Sequence, residues 1–299
     1  MRVTVLYGGP SAEREVSLVS GRAVIQGLKS MGHDVFASDV SPADLAGLDH
    51  PADVIFPVLH GAFGESGELQ EILEQRRLKF VGSSARASRI GMDKVATKRV
   101  WQAAGLPTPE YQVIRRDGNG GEPRTIPAPC VVKAIDSGSS IDVYVCKTEE
   151  QATKACDAVF SRHPRLMVER YIKGPELTVG LIEERPLAPI RIVPKGEFFD
   201  YEAKYKASDT EHRFNTGLPD DVVERCRELA RLANAAVGAR DLGRIDIMLD
   251  ERHNPFLLEI NTLPGFTPKS LLPEAAKHAG IEFGDLVDRL VRRAAGRLA

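Results

Sequence analysis

The sequence predicts a mixed α/β chain of α+β character in three lobes, and three observations carry that reading. First, an apolar run over 3–7 breaks at Gly8 and Gly9 and passes through Pro10 and Ser11 into a helical pattern over 16–31. Strand, glycine turn and helix in that order begin a parallel α/β unit. Second, two alternating runs, GRIDIMLD from Gly243 and PFLLEINTLPG from Pro255, flank a polar turn over 250–254 and read as a β-hairpin. Third, a chain of 299 residues outgrows one small core, so two or three lobes follow.

Further strands over 34–38, 54–59 and 79–81 and a helix over 67–77 complete an N-terminal open parallel sheet, the lobe 1–84. Gly8 and Gly9 lack the spaced glycines of a dinucleotide fingerprint. A helix over 87–104, ended by Gly105 and the prolines at 107 and 109, opens a central lobe, 85–175. Strands over 130–133 and 141–146 form an antiparallel pair there, followed by a helix over 149–160 and a strand over 166–171; 118–129 reads as a flexible connection. The small-residue turn 136–140 suits closure over phosphate oxygens, and equally an ordinary hairpin turn. In the C-terminal lobe, 176–299, strands over 176–182 and 190–194 precede a polar loop over 198–217, either a lid or an insertion. A helix over 220–239, the hairpin, and helices over 270–279 and 283–295 finish the chain.

Composition excludes several classes. With 40 basic and 42 acidic residues and a net charge of −2, no nucleic-acid stripe or membrane-seeking face is expected. Cys130, Cys146, Cys156 and Cys226 show no metal-ligand spacing and read as reduced thiols. Without a secretory h-region or a long apolar run, a cytoplasmic location is the expectation.

The hairpin carries the chemistry. Alternation sends Ile245, Ile247 and Leu249 inward and Arg244, Asp246 and Met248 outward. On the second run Phe256, Leu258 and Ile260 form the apolar face, with Glu259 and Asn261 opposite beside Leu257. Two carboxylates, a carboxamide and a guanidinium gathered this way suit a hard cation such as Mg²⁺. The plainer alternative is a solvated face with one Arg–Asp pair.

The segments GGPSAEREVSL, LHGAFGESG, MDKVATK, GLPTPEY, GPELTV, YEAKY, GRIDIMLD, LLEINTLPG and SLLP, in this order and separation, resemble the ATP-grasp enzymes. Within them the chain is similar to the D-alanine–D-alanine ligase family over nearly its whole length. The resemblance implies a three-lobed ATP-grasp fold and ATP-dependent joining of two D-alanines through an acyl phosphate, for peptidoglycan precursors. It implies that Lys94 and Lys133 reach the nucleotide phosphates and that Glu169, Ile172 and Glu176 line adenine and ribose. Asp246, Glu259 and Asn261 would hold two Mg²⁺ ions, with Mn²⁺ as a substitute. Arg244 and the backbone N–H of Gly265 would steady the phosphoryl group and the oxyanion. Glu13 would pair with the ammonium group of the first D-alanine, with Ser139 and Tyr205 latching onto Glu13. Ser270 and Leu271 would take the carboxylate of the second D-alanine, while Lys204 adds charge near the intermediate. His60 would do likewise, or is a satisfied structural histidine. A homodimer is also implied.

Ala134, Asp136, Ser137, Asp142 and Ser66 depart from the family pattern, and a carboxylate at 142 is expected to repel a bound triphosphate. Two neighbouring readings are a related ligase with another acceptor, such as D-lactate, and a nucleotide-binding module with reduced turnover. Tyrosine at 205 favours the peptide product.

Overall fold

The structure is a computed structural model that describes residues 1–116, 123–138, 141–193 and 210–297. Its first sheet has three parallel strands, β1 (Arg2–Tyr7), β2 (Asp34–Asp39) and β3 (Val54–Pro57), in the order β2-β1-β3. The expected strand over 79–81 is reduced to one parallel bridge between Ile55 and Phe80, after which Gly82, at φ +105°, turns the chain away. Helix Arg14–Ser30 buries Val24 and Leu28 on one face of the sheet. Helix Phe283–Ala295, from the far end of the chain, adds Leu286, Val287, Leu290 and Val291 to the same core. The other face lies under Leu69 and Leu73. The helix expected over 67–77 is found as Glu68–Gln75, and a separate single turn, Ala62–Glu65, precedes it, set off by Gly67 in a left-handed conformation.

The helix expected over 87–104 is two, Ala85–Met92 and Lys94–Ala103. Asp93 is extended, and its carboxylate accepts the N–H groups of Val95 and Ala96 at 2.9 Å each. A short acidic side chain here caps a new helix rather than continuing the old one.

The second sheet is antiparallel in the order β4-β7-β5-β6: β4 (Tyr111–Arg115), β5 (Cys130–Ala134), β6 (Val143–Cys146) and β7 (Arg165–Arg170). Strand β4, hidden in the sequence behind a proline stop, pairs with β7. One face, with Val132, Leu166 and Val168, packs under helix Glu149–Phe160, which a Thr148–Gln151 capping box starts. The other face carries Lys133 and Glu169. Lys133 stands opposite Met167, which puts Glu169 diagonally beside it.

The third sheet contains β8 (Glu176–Ile182), β9 (Arg185–Pro186), β10 (Ile190–Val193), β11 (Glu211–Arg213), β12 (Leu242–Leu249) and β13 (Pro255–Asn261). Its order is β11-β10-β8-β12-β13, with β9 on β8. Strand β11 occupies part of what reads as an unstructured loop; 198–209 lie outside the described residues. Helices Lys94–Ala103 and Asp220–Val237 cover one face with Trp101, Val222, Cys226 and Ala230 against Ile245, Ile247 and Leu257. The Trp101 indole N–H donates to the Ala233 carbonyl at 3.1 Å.

The hairpin forms, with one correction. Asp246 pairs with Glu259 but Ile247 pairs with Leu257, so Leu258 is an extra residue in a bulge. A bulge inverts the facing of the residues beyond it. Leu257 therefore joins the core at 0% exposure instead of sharing the polar face, while Phe256 leaves the core. All four cysteines are free thiols, and no described helix is long and apolar enough to cross a membrane.

Candidate active site

The outward face of the third sheet presents a polar grid. Register across β8, β12 and β13 sets Thr178 beside Asp246 and Asp246 beside Glu259; in the next row Gly180, Arg244 and Asn261 align. Arg244 grips Asp246 bidentately, Nε to Oδ1 and NH2 to Oδ2 at 3.0 Å each. The Thr178 hydroxyl donates to Asp246 Oδ1 at 2.5 Å. Asn261 Oδ1 accepts the Leu263 N–H at 3.0 Å, which fixes its carboxamide over the exit turn. Glu259 remains the more open of the two carboxylates, 35% exposed and 3.8 Å from Lys94 Nζ. That Lys94 ammonium also donates to the Ser137 carbonyl at 2.5 Å, which brings the small-residue turn to the same place.

These groups line a cavity of about 350 Å³ whose opposite wall comes from the N-terminal lobe. Glu13 stands at the N-cap position of helix Arg14–Ser30 there, without a side-chain cap bond, and His60 joins it from the turn after β3. Gly61, at φ +81°, permits that turn; a Cβ on it would lie 2.6 Å from Ser11 Cβ. Glu65 holds the turn, accepting the Gly61 N–H at 2.9 Å and meeting His60 Nδ1 at 3.3 Å. Burial is the largest single influence on His60 and pulls its pKa down, but the Glu65 hydrogen bond and charge, with that of Glu13, outweigh it and leave the pKa raised. His60 Nε2 is buried with no hydrogen-bond partner among the described residues.

The third wall is the start of helix Leu271–His278. Its N-cap Ser270 accepts the Thr267 N–H at 3.0 Å and shares a 2.8 Å hydroxyl contact with Thr267. Gly265 passes close by: a Cβ there would stand 2.9 Å from Ser270 Oγ. Glu176 and Leu271 also line the cavity. Eleven of the residues expected from sequence thus meet in one place: Glu13, His60, Lys94, Glu176, Arg244, Asp246, Glu259, Asn261, Gly265, Ser270 and Leu271.

Lys133, Glu169 and Ile172 are not in that lining. Lys133 and Lys98 sandwich Glu169: Lys133 Nζ lies 2.5 Å from Oε2, and Lys98 meets Oε1. Side-chain exposure is 0% for Lys98, 2% for Glu169 and 8% for Lys133, so all three charges are sealed in. Burial acts most strongly on Glu169 and raises its pKa, yet the two cations together hold it below the usual carboxylate value. Lys98 closes the MDKVATK segment, and the sequence assigns it no role. Thr178 was missed too, although its place in an alternating strand was the available signal.

Asp142 corrects an expectation. It sits at φ +57° with its carboxylate paired with Arg162 and, at 2.9 Å, with His163 Nε2, so its charge is met within the protein. Ser139, Lys204 and Tyr205 lie outside the described residues.

A family model described as the D-ala D-ala ligase C-terminus matches residues 100–292, and one described as the D-ala D-ala ligase N-terminus matches 38–83. The chain belongs to the D-alanine–D-alanine ligase family. Among its relatives is the D-alanine–D-alanine ligase of Gloeobacter violaceus, 41% identical, with 98% of this chain and 99% of the relative covered. That of Marinobacter nauticus is 42% identical over 97% and 90%. The family's ATP-grasp fold is evident in solved structures: the Bacillus anthracis ligase complexed with ATP has a TM-score of 0.84 at 29% identity, covering 98% of this chain and 96% of that one. The same ligase, in a second crystal structure, gives 0.85 at 29%, over 99% and 97%.

Proposed function

We propose that the chain joins two D-alanine molecules in an ATP-dependent reaction, supplying a peptidoglycan precursor. The observation that carries this reading is that the Arg244, Asp246, Glu259 and Asn261 face of the third sheet shares one cavity with Lys94 and with Glu13 and His60 from the loops of the N-terminal lobe.

In the first step a carboxylate oxygen of the first D-alanine attacks the γ-phosphorus of ATP and ADP leaves. In the second, the amine of the other D-alanine, having lost a proton, attacks the acyl carbon and inorganic phosphate leaves. Lys94 and Lys133 bind the phosphates as compact point charges. Glu169, Ile172 and Glu176 receive adenine and ribose. Arg244 and the Gly265 N–H stabilise charge on the transferred phosphoryl group and then on the tetrahedral oxyanion, where aimed donors contribute most. Glu13 orients the first ammonium group, and the helix start at Ser270 and Leu271 takes the second carboxylate. His60 adds a positive edge beside Glu13. Ser139, Lys204 and Tyr205 keep the roles the resemblance implies: latch, charge and water exclusion around the acyl phosphate.

Asp246, Glu259 and Asn261 offer only oxygen donors, which fit Mg²⁺ (two ions, or Mn²⁺), and the metal would neutralise β- and γ-phosphate charge when bound. The lobes 1–84, 85–175 and 176–299, a homodimer and a cytoplasmic setting complete the reading. Phosphate release from ATP and Mg²⁺ tests it, with D-alanine, L-alanine and D-lactate supplied separately. Release with D-alanine alone is expected. Release that ignores D-alanine overturns the assignment.

A further inference from the structure

Lys98 is fully sealed, and none of the steps above uses it. Its ammonium group meets Glu169 Oε1 and donates to the Thr108 hydroxyl, and it stands 5.6 Å from the Tyr111 ring centre. Thr108 passes the contact on: its hydroxyl donates to the Leu257 carbonyl at 2.9 Å, beside the bulge that aims Glu259, and the Leu257 N–H donates back to the Pro107 carbonyl at 2.9 Å. One side chain therefore ties the charged face of the second sheet to the strand carrying Glu259.

Glu169 is bound on both oxygens, and the two lysines differ in freedom. Lys133 is the one that reaches out to phosphate on the reading above. When it does, a buried carboxylate loses half of its counter-charge, a strongly unfavourable change unless another cation stays. Lys98, pinned by Thr108, is that cation.

We infer that Lys98 is a positioning residue of the nucleotide site, holding Glu169 ionised and in place so that Lys133 is released to the triphosphate. This rests on the proposed use of ATP. Burial is the main influence on the Lys98 ammonium and, with Lys133 close by, pushes its pKa down to about 8; it is still charged at neutral pH.

The test compares the wild type, Lys98→Met, Glu169→Gln and the double variant in the full chain. ADP affinity in the presence of Mg²⁺ is read by calorimetry, and KM and kcat by phosphate release. Lys98→Met should weaken ADP about tenfold or more, in the range seen when a supporting partner behind a binding group is removed. KM for ATP should rise in parallel, while kcat and KM for D-alanine stay within about threefold. In the double variant the loss should not exceed that of Glu169→Gln alone, because Lys98 acts through Glu169. Unchanged ADP affinity, or a fall in kcat with unchanged KM for ATP, overturns the inference. Should Lys98→Met not fold, the double variant decides: binding equal to that of Glu169→Gln supports it, and a further tenfold loss overturns it. If the wild type binds ADP but releases no phosphate with D-alanine, the ligase reading fails while the binding comparison still decides the role of Lys98.

Discussion

Two charged clusters stand on neighbouring parts of the fold, and they are built in opposite ways. At the second sheet, Glu169 and Lys133 on its strands and Lys98 on helix Lys94–Ala103 are closed off from solvent and satisfy one another. On the third sheet, Arg244 and Asp246 are largely buried as a pair but line a cavity with Glu259 and Asn261, and Glu259 keeps a third of its surface. Buried charges lose hydration, so the closed cluster must be self-neutralising to exist, whereas the open one can keep oxygen atoms in reserve for a ligand. The closed cluster should therefore reveal itself in stability and the open one in turnover.

The sharpest way to break this contrast is to remove the central charge of the closed cluster. Glu169→Leu leaves two buried cations facing each other and should cost about 3–5 kcal/mol, read from urea unfolding. A loss below about 1 kcal/mol would mean that water reaches the triad, and the contrast would fall.

Next comes the open cluster. Arg244→Lys keeps the charge but cannot reproduce the two parallel bonds to Asp246, and kcat should drop on the order of 10²–10³-fold. Glu259→Gln should lose most activity as well. In both, the unfolding midpoint should move little, since neither leaves a sealed charge unpaired. Wild-type turnover in Glu259→Gln would remove that residue from the site.

The same contrast explains what was legible in the sequence. The outward row Arg244, Asp246, Glu259 and Asn261 followed from a period of two, and the structure keeps all four on one face. The inversion at Leu257 did not follow, because a bulge adds one residue without changing composition. The closed cluster was half visible: the family resemblance named Lys133 and Glu169, but Lys98 became meaningful only once folding brought helix Lys94–Ala103 against β7. Asp142 misled for a related reason. Its charge suggested repulsion, while its direction is set by a left-handed backbone and by Arg162 and His163, which no local pattern announces. The broken helix at Asp93 was readable in principle, since an aspartate before an apolar run is a cap signal.

A smaller effect sharpens the picture of the open cluster. Thr178→Val removes the hydroxyl that donates to Asp246 Oδ1 while keeping shape, and should cost about 1 kcal/mol of stability. Activity should fall less than in Arg244→Lys, because the Arg244 fork still orients Asp246. If Thr178→Val matches Arg244→Lys in kcat, the hydroxyl rather than the guanidinium is what aims the carboxylate.

The least effect belongs to His60, which stands between the two designs: buried like the closed cluster, yet lining the cavity like the open one. Its pKa is raised in the folded chain despite burial, because Glu65 and Glu13 favour the cation. The folded state therefore holds this proton more tightly than the unfolded state. The resulting stabilisation is fully present below about pH 6.5, the ordinary histidine value, and is lost as pH rises through the folded-state value above it. Comparing the urea midpoints of wild type and His60→Asn from about pH 5.5 to about pH 8.5 reads this out: the advantage of the wild type should shrink as pH rises. A difference that stays flat across that range would mean the Glu65 contact is made equally well by the neutral ring, and that His60 brings no positive charge to the cavity.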